Sequence, residues 1–256
     1  MHFQDTLSAV GAGLAANPLS GYSEIFSKRG LSYDEAMHAC PWVRKQEFLQ
    51  LFRLEPIRPN DVILDIPSLG GYLGWYIADF ESIINLDFSE SFQADIRTVS
   101  PYGQWDLSEK VTRVVCLAAL HHVEDLSSFL DNLSSQTEVG VRVHLADVGK
   151  GSRIGRFLDD FVGKHTPMGH VGNYRDWTQI EFPSSLSCLD VATLPCPWSF
   201  SEPAAAAHFA RMLFGLVDCS DSDILHAFET MVGMDRNADG GITIHWQLTY
   251  VDLHRV

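Results

Sequence analysis

The fold of this chain is decided by two neighbouring stretches, Val62-Ile63-Leu64-Asp65-Ile66-Pro67-Ser68-Leu69-Gly70-Gly71-Tyr72-Leu73 and Ile83-Ile84-Asn85-Leu86-Asp87. Each contains a short apolar run, which predicts a buried strand, and each strand ends in an acidic residue. The small residues after Asp65 predict a tight turn, and a helix is expected over 72–80. Strand, turn, helix and strand in this order are typical of a doubly wound α/β fold that binds a nucleoside at the carboxyl ends of its strands. Asp87 follows Asp65 by 22 residues, about where such folds place the acid that binds both ribose hydroxyls.

Strand and helix patterns alternate along the rest of the chain. Further strands are predicted over 111–117, 141–148, 186–194 and 242–253, and further helices over 126–133, 154–162, 204–216 and 221–232. Alternation of this kind implies a mostly parallel sheet that is covered on both faces. The last strand alternates polar and apolar residues after a glycine-containing turn, which predicts an antiparallel late strand.

Residues 1–57 are predicted to form a helical cap or lid, followed by the main domain over 58–256. Ser32 is a candidate N-cap of a helix through Cys40, and Pro41 suits the first turn of a helix that runs to about Leu54. The segment 56–60, with two prolines, is expected to link the cap to the first strand. A substrate loop is expected near 150–180, because loops at the carboxyl edge of such sheets carry substrate groups.

Composition and charge restrict the class of partner. The chain has 256 residues, 46% of them apolar, which is enough for one large core. Its 18 basic and 33 acidic residues give a net charge of -15, which disfavours nucleic acid. No apolar run of about 18 residues predicts a membrane span, and the first residues do not resemble a secretory signal. The five cysteines form no close Cys-x-x-Cys pair and fit reduced thiols of a cytoplasmic protein. A small-molecule partner is therefore expected, and the oligomeric state stays open.

The motifs after the first two strands resemble a known family. They are Trp105-Asp106-Leu107, then Val114-Val115-Cys116-Leu117-Ala118-Ala119-Leu120-His121-His122-Val123, and finally His144-Leu145-Ala146-Asp147-Val148. Together with Asp65 and Asp87 they resemble the class I S-adenosylmethionine (SAM) dependent methyltransferases, in particular the branch that acts on small molecules. The resemblance covers residues 61–150 and implies a Rossmann-like sheet with SAM as cofactor.

The resemblance also implies roles for particular residues. Asp87 would bind both ribose hydroxyls, and Asp106 would receive the adenine amino group beside the amide of Leu107. The residues expected to bind the cofactor are Tyr22, Asp65, Pro67, Ser68, Gly70, Gly71, Asp87, Phe88, Asp106, Leu107 and Leu117. The family pattern Asp-x-Gly-x-Gly-x-Gly is Asp65-Ile66-Pro67-Ser68-Leu69-Gly70-Gly71 here, so only Gly71 occupies a family glycine position. A plain strand-to-helix turn, and a solvated acid at position 87, remain the alternatives.

Five residues are candidates for catalysis, namely His121, His122, His165, His170 and Tyr174. A histidine can act as a general base for a methyl acceptor, although a histidine that merely ends a strand is the alternative. Phe26 and Arg29 of the cap are candidates for binding substrate. No metal site is predicted, because adjacent histidines on an extended segment point in opposite directions. The segment 235–242 matches the opening of a calcium loop but lacks the Glu at its twelfth position, so it is interpreted as a turn.

Three functions are compatible with these residues. The first is methyl transfer to a small molecule, which is the commoner use of this fold. The second rests on the altered loop after Asp65 and on the helical cap, which are similar to azetidine-2-carboxylate synthases; these enzymes cyclise SAM and release methylthioadenosine. The third is a catalytically inactive subunit that retains the fold and binds a ligand or partner.

Overall fold

A computed structural model describes residues 22–92 and 96–256. Seven strands form its central sheet: β1 (Val62–Asp65), β2 (Ser82–Asp87), β3 (Arg97–Thr98), β4 (Arg113–Leu117), β5 (Arg142–Asp147), β6 (Leu186–Pro195) and β10 (Gln247–Arg255). Their order across the sheet is β3-β2-β1-β4-β5-β10-β6. β10 runs antiparallel to both of its neighbours, and the other described strand pairs of this sheet are parallel. The predicted doubly wound, mostly parallel Rossmann-like sheet with an antiparallel late strand is confirmed.

The middle of the sheet explains where a site can form. β1 pairs in parallel with β2 on one side and with β4 on the other. The chain therefore winds outward in opposite directions from β1 and β4, and their connections leave a crevice above the carboxyl ends of both strands. All residues of β1 and β4 are buried, as expected for strands covered on both faces.

Helices and turns cover the sheet. The helices are α1 (Tyr22–Ala39), α2 (Lys45–Leu49), α3 (Leu126–Ser135), α4 (Arg153–Arg156), α5 (Gly163–His165), α6 (Pro203–Phe214) and α7 (Asp221–Ala227). A π-helical segment, Phe157–Val162, joins α4 to α5 without a break, and another, Phe228–Val232, follows α7. The caps agree with the sequence: Asp125 accepts from the amide of Ser128, and Ser220 forms a capping box with Asp223. None of the helices within the described ranges is both long enough and apolar enough to cross a membrane.

A second, three-stranded sheet lies beside α6. It consists of β7 (Trp198–Phe200), β8 (Met234–Arg236) and β9 (Ile242–Ile244) in the order β7-β9-β8. β8 and β9 form an antiparallel hairpin joined by residues 237–241, so the predicted turn lies within the segment 235–242. The expectation of one strand over 242–253 is wrong. The chain leaves the small sheet at His245 and Trp246, whose indole stacks on Trp198 at 4.0 Å between ring centroids, and then enters β10.

Three helix predictions need correction. The helix expected over 72–80 is a single 3-10 turn, Tyr72–Trp75, because the chain enters it from Gly71 in the left-handed region and Asp79 also has a positive φ of 58°. Ser32 does not begin a helix: α1 is continuous, and the Ser32 hydroxyl donates to the carbonyl of Arg29. The helix expected to begin at Pro41 begins at Lys45 and gives way to a 3-10 turn, Gln50–Phe52. The first 21 residues of the predicted cap lie outside the described residues.

Candidate active site

The acidic ends of β1 and β2 lie side by side, next to the start of α1. Asp87 is fully buried, and its carboxylate accepts hydrogen bonds from the amide of Leu69 at 2.9 Å, the amide of Ser89 at 3.0 Å and the hydroxyl of Tyr22 at 3.1 Å. Burial raises the pKa of Asp87 to about 6, although these hydrogen bonds oppose the shift. Asp87 is therefore ionised at neutral pH, and one of its donors comes from the first described residue of the cap helix.

Three buried polar atoms around the loop after β1 have no hydrogen-bond partner among the described residues. They are Oδ2 of Asp65, Oγ of Ser68 and Oδ1 of Asn85. Burial, together with the charge of Asp87, raises the pKa of Asp65 well above its ordinary value. A buried polar group without a partner destabilises the fold. Three such groups around one loop therefore indicate a binding site, in which a ligand supplies the missing hydrogen-bond partners.

The loop itself is shaped so that a ligand can approach its backbone. Leu69, Gly70 and Gly71 all have positive φ values, of 49°, 101° and 78°. Such values are ordinary only for glycine, and Leu69 is held there by the bond from its amide to Asp87. A Cβ on Gly71 would lie 3.4 Å from the side chain of Asn85, between the loop and β2. The peptide between Ile66 and Pro67 is cis.

The two adjacent histidines share one side of a tight turn. Ala118, with φ of 50°, turns the chain out of β4 into the 3-10 turn Leu120–His122. The rings of His121 and His122 consequently lie 4.1 Å apart between centroids. The prediction that these side chains point in opposite directions is wrong, because the segment is a turn rather than an extended strand end. Non-glycine residues with positive φ cluster at functional sites.

Asp147 fixes the ring of His121. It ends β5, which lies next to β4 in the sheet, and it is buried. Its Oδ2 accepts from the amide of His121 at 2.7 Å, and its Oδ1 lies 2.6 Å from Nδ1 of the same residue. Nδ1–H therefore donates a hydrogen bond to the carboxylate, and Nε2 is the ring nitrogen that Asp147 does not contact.

His170 reaches the same place from the loop after α5. Gly163 permits this approach, because a Cβ there would lie 2.6 Å from the carbonyl oxygen of His170. Asp159, on the π-helical segment, has its Oδ1 3.3 Å from Nδ1 of His170 and accepts from the hydroxyl of Tyr174 at 2.9 Å. The ring of His170 lies 5.1 Å from that of His122. Burial lowers the pKa of His170 to about 4 and that of His122 well below its ordinary value, so both rings are neutral at pH 7.

The histidines open into a cavity of about 60 Å³ between α1, α2, the sheet and α6. Aromatic side chains form much of its wall: Phe26, Tyr33, Trp198, Phe214 and Trp246. Arg29 also lines it, with its guanidinium 5.3 Å from the centre of the Phe26 ring and one nitrogen donating to the carbonyl of Leu213 at 2.7 Å. Its Nε has no partner among the described residues. Burial lowers the pKa of Arg29 to about 10, which still leaves it charged at pH 7.

A buried ion pair supports this wall. Arg44 and Glu47 are both almost fully buried and lie 2.6 Å apart between Nη2 and Oε2. Arg44 also bonds the hydroxyl of Tyr33, and Glu47 accepts from the indole nitrogen of Trp198 at 2.6 Å. The pair thereby links the cap to the small sheet and fixes two aromatic residues of the cavity.

The structure gathers most, but not all, of the residues predicted for the site. Those around the cavity or the loop are Tyr22, Phe26, Arg29, Asp65, Pro67, Ser68, Gly70, Gly71, Asp87, His121, His122 and His170. Leu117 is buried at the end of β4, directly before Ala118 of the cavity wall.

The other predicted site residues lie outside the cavity wall. Phe88 packs edge-on against Tyr22 at 5.4 Å, and Tyr174 lies behind His121 at 5.5 Å. His165 packs on Phe161 and does not line the cavity. Asp106 is exposed, and Leu107 is partly buried against the core.

Sequence reasoning missed four polar residues of the site. Asn85 precedes Asp87 by two positions on β2 and so shares its face, which the alternation of a strand could have shown. Asp147 ends β5, and the rule that assigned roles to Asp65 and Asp87 applies to it equally. Arg44 and Asp159 gave no usable signal, because their roles depend on how the cap and the loop after α5 pack.

No protein-family model matches this chain, and no curated protein matches its sequence. Solved structures do match. One is the YcgJ protein from Bacillus subtilis, with a TM-score of 0.57, 12% identity, and coverage of 82% of this chain and 97% of that one. Another is phosphoethanolamine N-methyltransferase 2 from Haemonchus contortus with S-adenosylhomocysteine, with a TM-score of 0.55, 11% identity, and coverage of 92% and 60%.

A third is geranyl diphosphate C-methyltransferase from Streptomyces coelicolor A3(2), in complex with Mg²⁺, geranyl diphosphate and S-adenosylhomocysteine. Its TM-score is 0.52 at 10% identity, with coverage of 88% of this chain and 84% of that one. The chain has the fold of the class I methyltransferases. At these identities the likeness concerns the fold alone.

Proposed function

We propose that this protein binds SAM and transfers its methyl group to a small-molecule acceptor. The observation that carries the proposal is the set of unpaired polar atoms on Asp65, Ser68 and Asn85, next to ionised Asp87, at the carboxyl ends of β1 and β2 in this fold. When bound, SAM supplies a methyl group on a positively charged sulfur.

The residues present fit such a ligand. The Asp87 carboxylate has the charge and the position to accept hydrogen bonds from two ribose hydroxyls. Asp65, Ser68 and Asn85 offer unused oxygens to the amino acid part, and the loop at Gly70 and Gly71 lets the backbone approach it. Asp106 and the amide of Leu107 are proposed to face the adenine. Electrostatically, carboxyl groups and aromatic faces favour a cation at this place.

Catalysis by these residues would consist mainly of positioning. The walls of the cavity would hold an acceptor in line with the methyl group. A proton lost by an acceptor O–H or N–H can pass to one of the neutral rings, His122 or His170. Asp147 orients the ring of His121, just as a hydrogen-bonded carboxylate orients a histidine that acts as a base in other catalytic sites.

The cap must move for binding. A cavity of about 60 Å³ is far smaller than the roughly 300–1,000 Å³ of ordinary ligand sites. Tyr22 occupies a position on Asp87 that a ribose hydroxyl would take. We therefore propose that α1 acts as a lid and that Tyr22 leaves Asp87 when the ligand enters.

One observation favours a second candidate, the cyclisation of SAM to azetidine-2-carboxylate with release of methylthioadenosine. The altered loop after Asp65 reaches the cavity, because Leu69 lines its wall together with the aromatic side chains. In that reaction the neutral amino nitrogen attacks the side-chain carbon next to sulfur, and the carbon–sulfur bond breaks. The unusual Pro67-Ser68-Leu69 loop would hold the bent amino acid part.

Binding is tested first, by calorimetry with SAM and with S-adenosylhomocysteine. Asp87→Asn should weaken SAM binding about 10- to 100-fold, because it removes the charge that receives the ribose hydrogen bonds. Asp79→Asn, at an exposed position with positive φ, is the matched control and should bind like the parent. Equal affinity of the two variants would reject the assignment of Asp87.

Turnover is tested by mass spectrometry of SAM incubated with the protein, with and without a panel of small hydroxyl, amine and thiol acceptors. S-adenosylhomocysteine that forms only with an acceptor supports methyl transfer. Methylthioadenosine that forms with protein alone, above a protein-free control, supports cyclisation. Saturable SAM binding without either product would support the third alternative, an inactive binding subunit.

A further inference from the structure

We propose that His121, His122 and His170 bind a divalent first-row transition metal ion such as Zn²⁺. Metal binding itself does not depend on the proposed function, whereas the use of the metal to hold the acceptor rests on it. Within residues 22–92 and 96–256 these three side chains are the one group whose ligand atoms are clustered closely enough for a shared ion.

The geometry is close to that of a three-histidine site. One ring nitrogen from each residue lies within 4.8 Å of the others. Zinc bound at about 2.0–2.1 Å in a tetrahedral site holds its nitrogens about 3.4 Å apart. Small rotations of the rings close that gap. The ligands come from two segments, the turn after β4 and the loop after α5.

A second observation points to metal binding. Two of the three rings are backed by a carboxylate on the nitrogen that would face away from the ion. Nδ1 of His121 lies 2.6 Å from Asp147, and Nδ1 of His170 lies 3.3 Å from Asp159. Histidines that bind a metal commonly have such a carboxylate partner. The partner fixes the tautomer and makes Nε2 more basic, so that Nε2 binds the metal more strongly. The expectation of no metal site relied on an extended backbone that this segment does not have.

The charges around the cluster indicate what the fourth ligand is. The guanidinium of Arg29 lines the same cavity, and its Nε has no partner among the described residues. It favours an anion at the open position, such as a carboxylate or an ionised acceptor oxygen. Three imidazoles suit zinc, copper, nickel or iron, whereas magnesium and calcium prefer oxygen ligands.

Such an ion would serve methyl transfer directly. With the ion bound, His122 and His170 would be its ligands and would no longer accept a proton. An acceptor hydroxyl or thiol held by the ion would instead lose its proton to solvent more readily, because the metal would stabilise the resulting anion. The metal would also fix the attacking atom on the sheet side of the cavity, next to the loop that follows β1. The substrate class implied is a small molecule with an ionisable oxygen or sulfur and, beside Arg29, a negatively charged group.

The test uses full-length protein stripped with a chelator. Calorimetry with Zn²⁺ should show one saturable site per chain, and Co²⁺ should give the visible absorption bands of a four-coordinate nitrogen and oxygen site. His122→Ala and His170→Ala should each weaken Zn²⁺ binding by more than about 100-fold, and Asp147→Asn by about 10- to 100-fold. The matched control is His245→Ala, because His245 is an exposed imidazole 2.8 Å from Asp235 and should not contribute.

Several outcomes would overturn the proposal. They are no saturable binding of either ion, a thiolate charge-transfer band that assigns Co²⁺ to a cysteine, and equal affinity in the parent and His170→Ala. If His170→Ala does not fold, as judged by circular dichroism, the Co²⁺ spectrum of the parent still decides. Calorimetry with SAM separates the two proposals: metal binding without SAM binding keeps the site and rejects its use, and SAM binding without metal binding rejects the site.

Discussion

Replacement of Tyr22 by Phe tests whether the cap helix competes with the ligand for Asp87. The hydroxyl of Tyr22 donates to Oδ2 of Asp87 at 3.1 Å. The phenyl ring of the variant keeps the packing on Phe26 and Phe88, whose centroids lie 4.6 and 5.4 Å away. Only the hydrogen bond is lost, so a change in ligand affinity can be assigned to it.

The expected magnitude follows from that bond. Hydrogen bonds to charged groups contribute about 1.5–3 kcal/mol. The bond from Tyr22 is 3.1 Å long, and the carboxylate has two other donors. We therefore expect this bond to contribute the lower value of that range, about 1.5 kcal/mol. If the ribose displaces Tyr22, the parent must break this bond on binding and the variant does not. Tyr22→Phe should therefore bind SAM about tenfold more tightly.

Calorimetry with SAM at about pH 8 measures this difference. The higher pH is needed because the bond from Tyr22 lowers the pKa of Asp87, so the pKa of Asp87 is higher in the variant. At this pH the Asp87 carboxyl is ionised in both proteins. Tyr76→Phe is the control, since the hydroxyl of Tyr76 bonds the carbonyl of Pro41 away from Asp87. Unchanged or weaker SAM binding by the folded Tyr22→Phe variant would show that the ligand does not displace the Tyr22 hydroxyl from Asp87.

Three further outcomes are expected. SAM affinity should fall about tenfold per pH unit below about pH 6, because ribose hydroxyls donate to the ionised form of Asp87, whose pKa is about 6; a flat calorimetric profile between about pH 6 and pH 4 would contradict this. Glu47→Ala should lower the free energy of unfolding in urea by about 3–5 kcal/mol, since it leaves Arg44 charged and buried without its partner, whereas exposed Glu229→Ala should not. Asn85→Leu should leave the free energy of unfolding within about 0.5 kcal/mol of the parent, because the Oδ1 of Asn85 is already unpaired, but it should weaken SAM binding. A large loss of stability would show that Asn85 stabilises the fold instead of binding the ligand.

The sheet could be predicted because its strands are short, apolar and bounded by turns. Buried parallel strands such as β1 and β4 carry their signal in consecutive residues. The acidic ends at Asp65 and Asp87 follow from the same signal, because the strand end determines where they lie. The helix expected over 72–80 does not form, because Gly71 and Asp79 adopt left-handed conformations that local patterns do not reveal.

The histidine cluster shows where prediction from sequence ends. The motif containing His121 and His122 is visible in the sequence, yet its geometry depends on a positive φ at Ala118 that turns the chain out of β4. His170 joins the pair because its loop packs closely against Gly163. No periodic spacing links that loop to the turn after β4, so the contact between them follows only from the packing of the folded chain.

The form of the loop after β1 also indicates which kind of ligand the crevice accepts. Folds of this type that bind a pyrophosphate place it at the N-terminus of a helix, where amide groups and the helix dipole attract an anion. Here the loop leads into a single 3-10 turn, Tyr72–Trp75, so that attraction is weak. Two carboxyl groups, Asp65 and Asp87, are buried beside the loop and disfavour an anion there. A positively charged ligand needs no helix N-terminus and is attracted by the carboxyl groups. Its charge also favours the ionised form of Asp65, whose pKa is raised by burial. The electrostatics of the crevice therefore favour a sulfonium nucleoside over a dinucleotide.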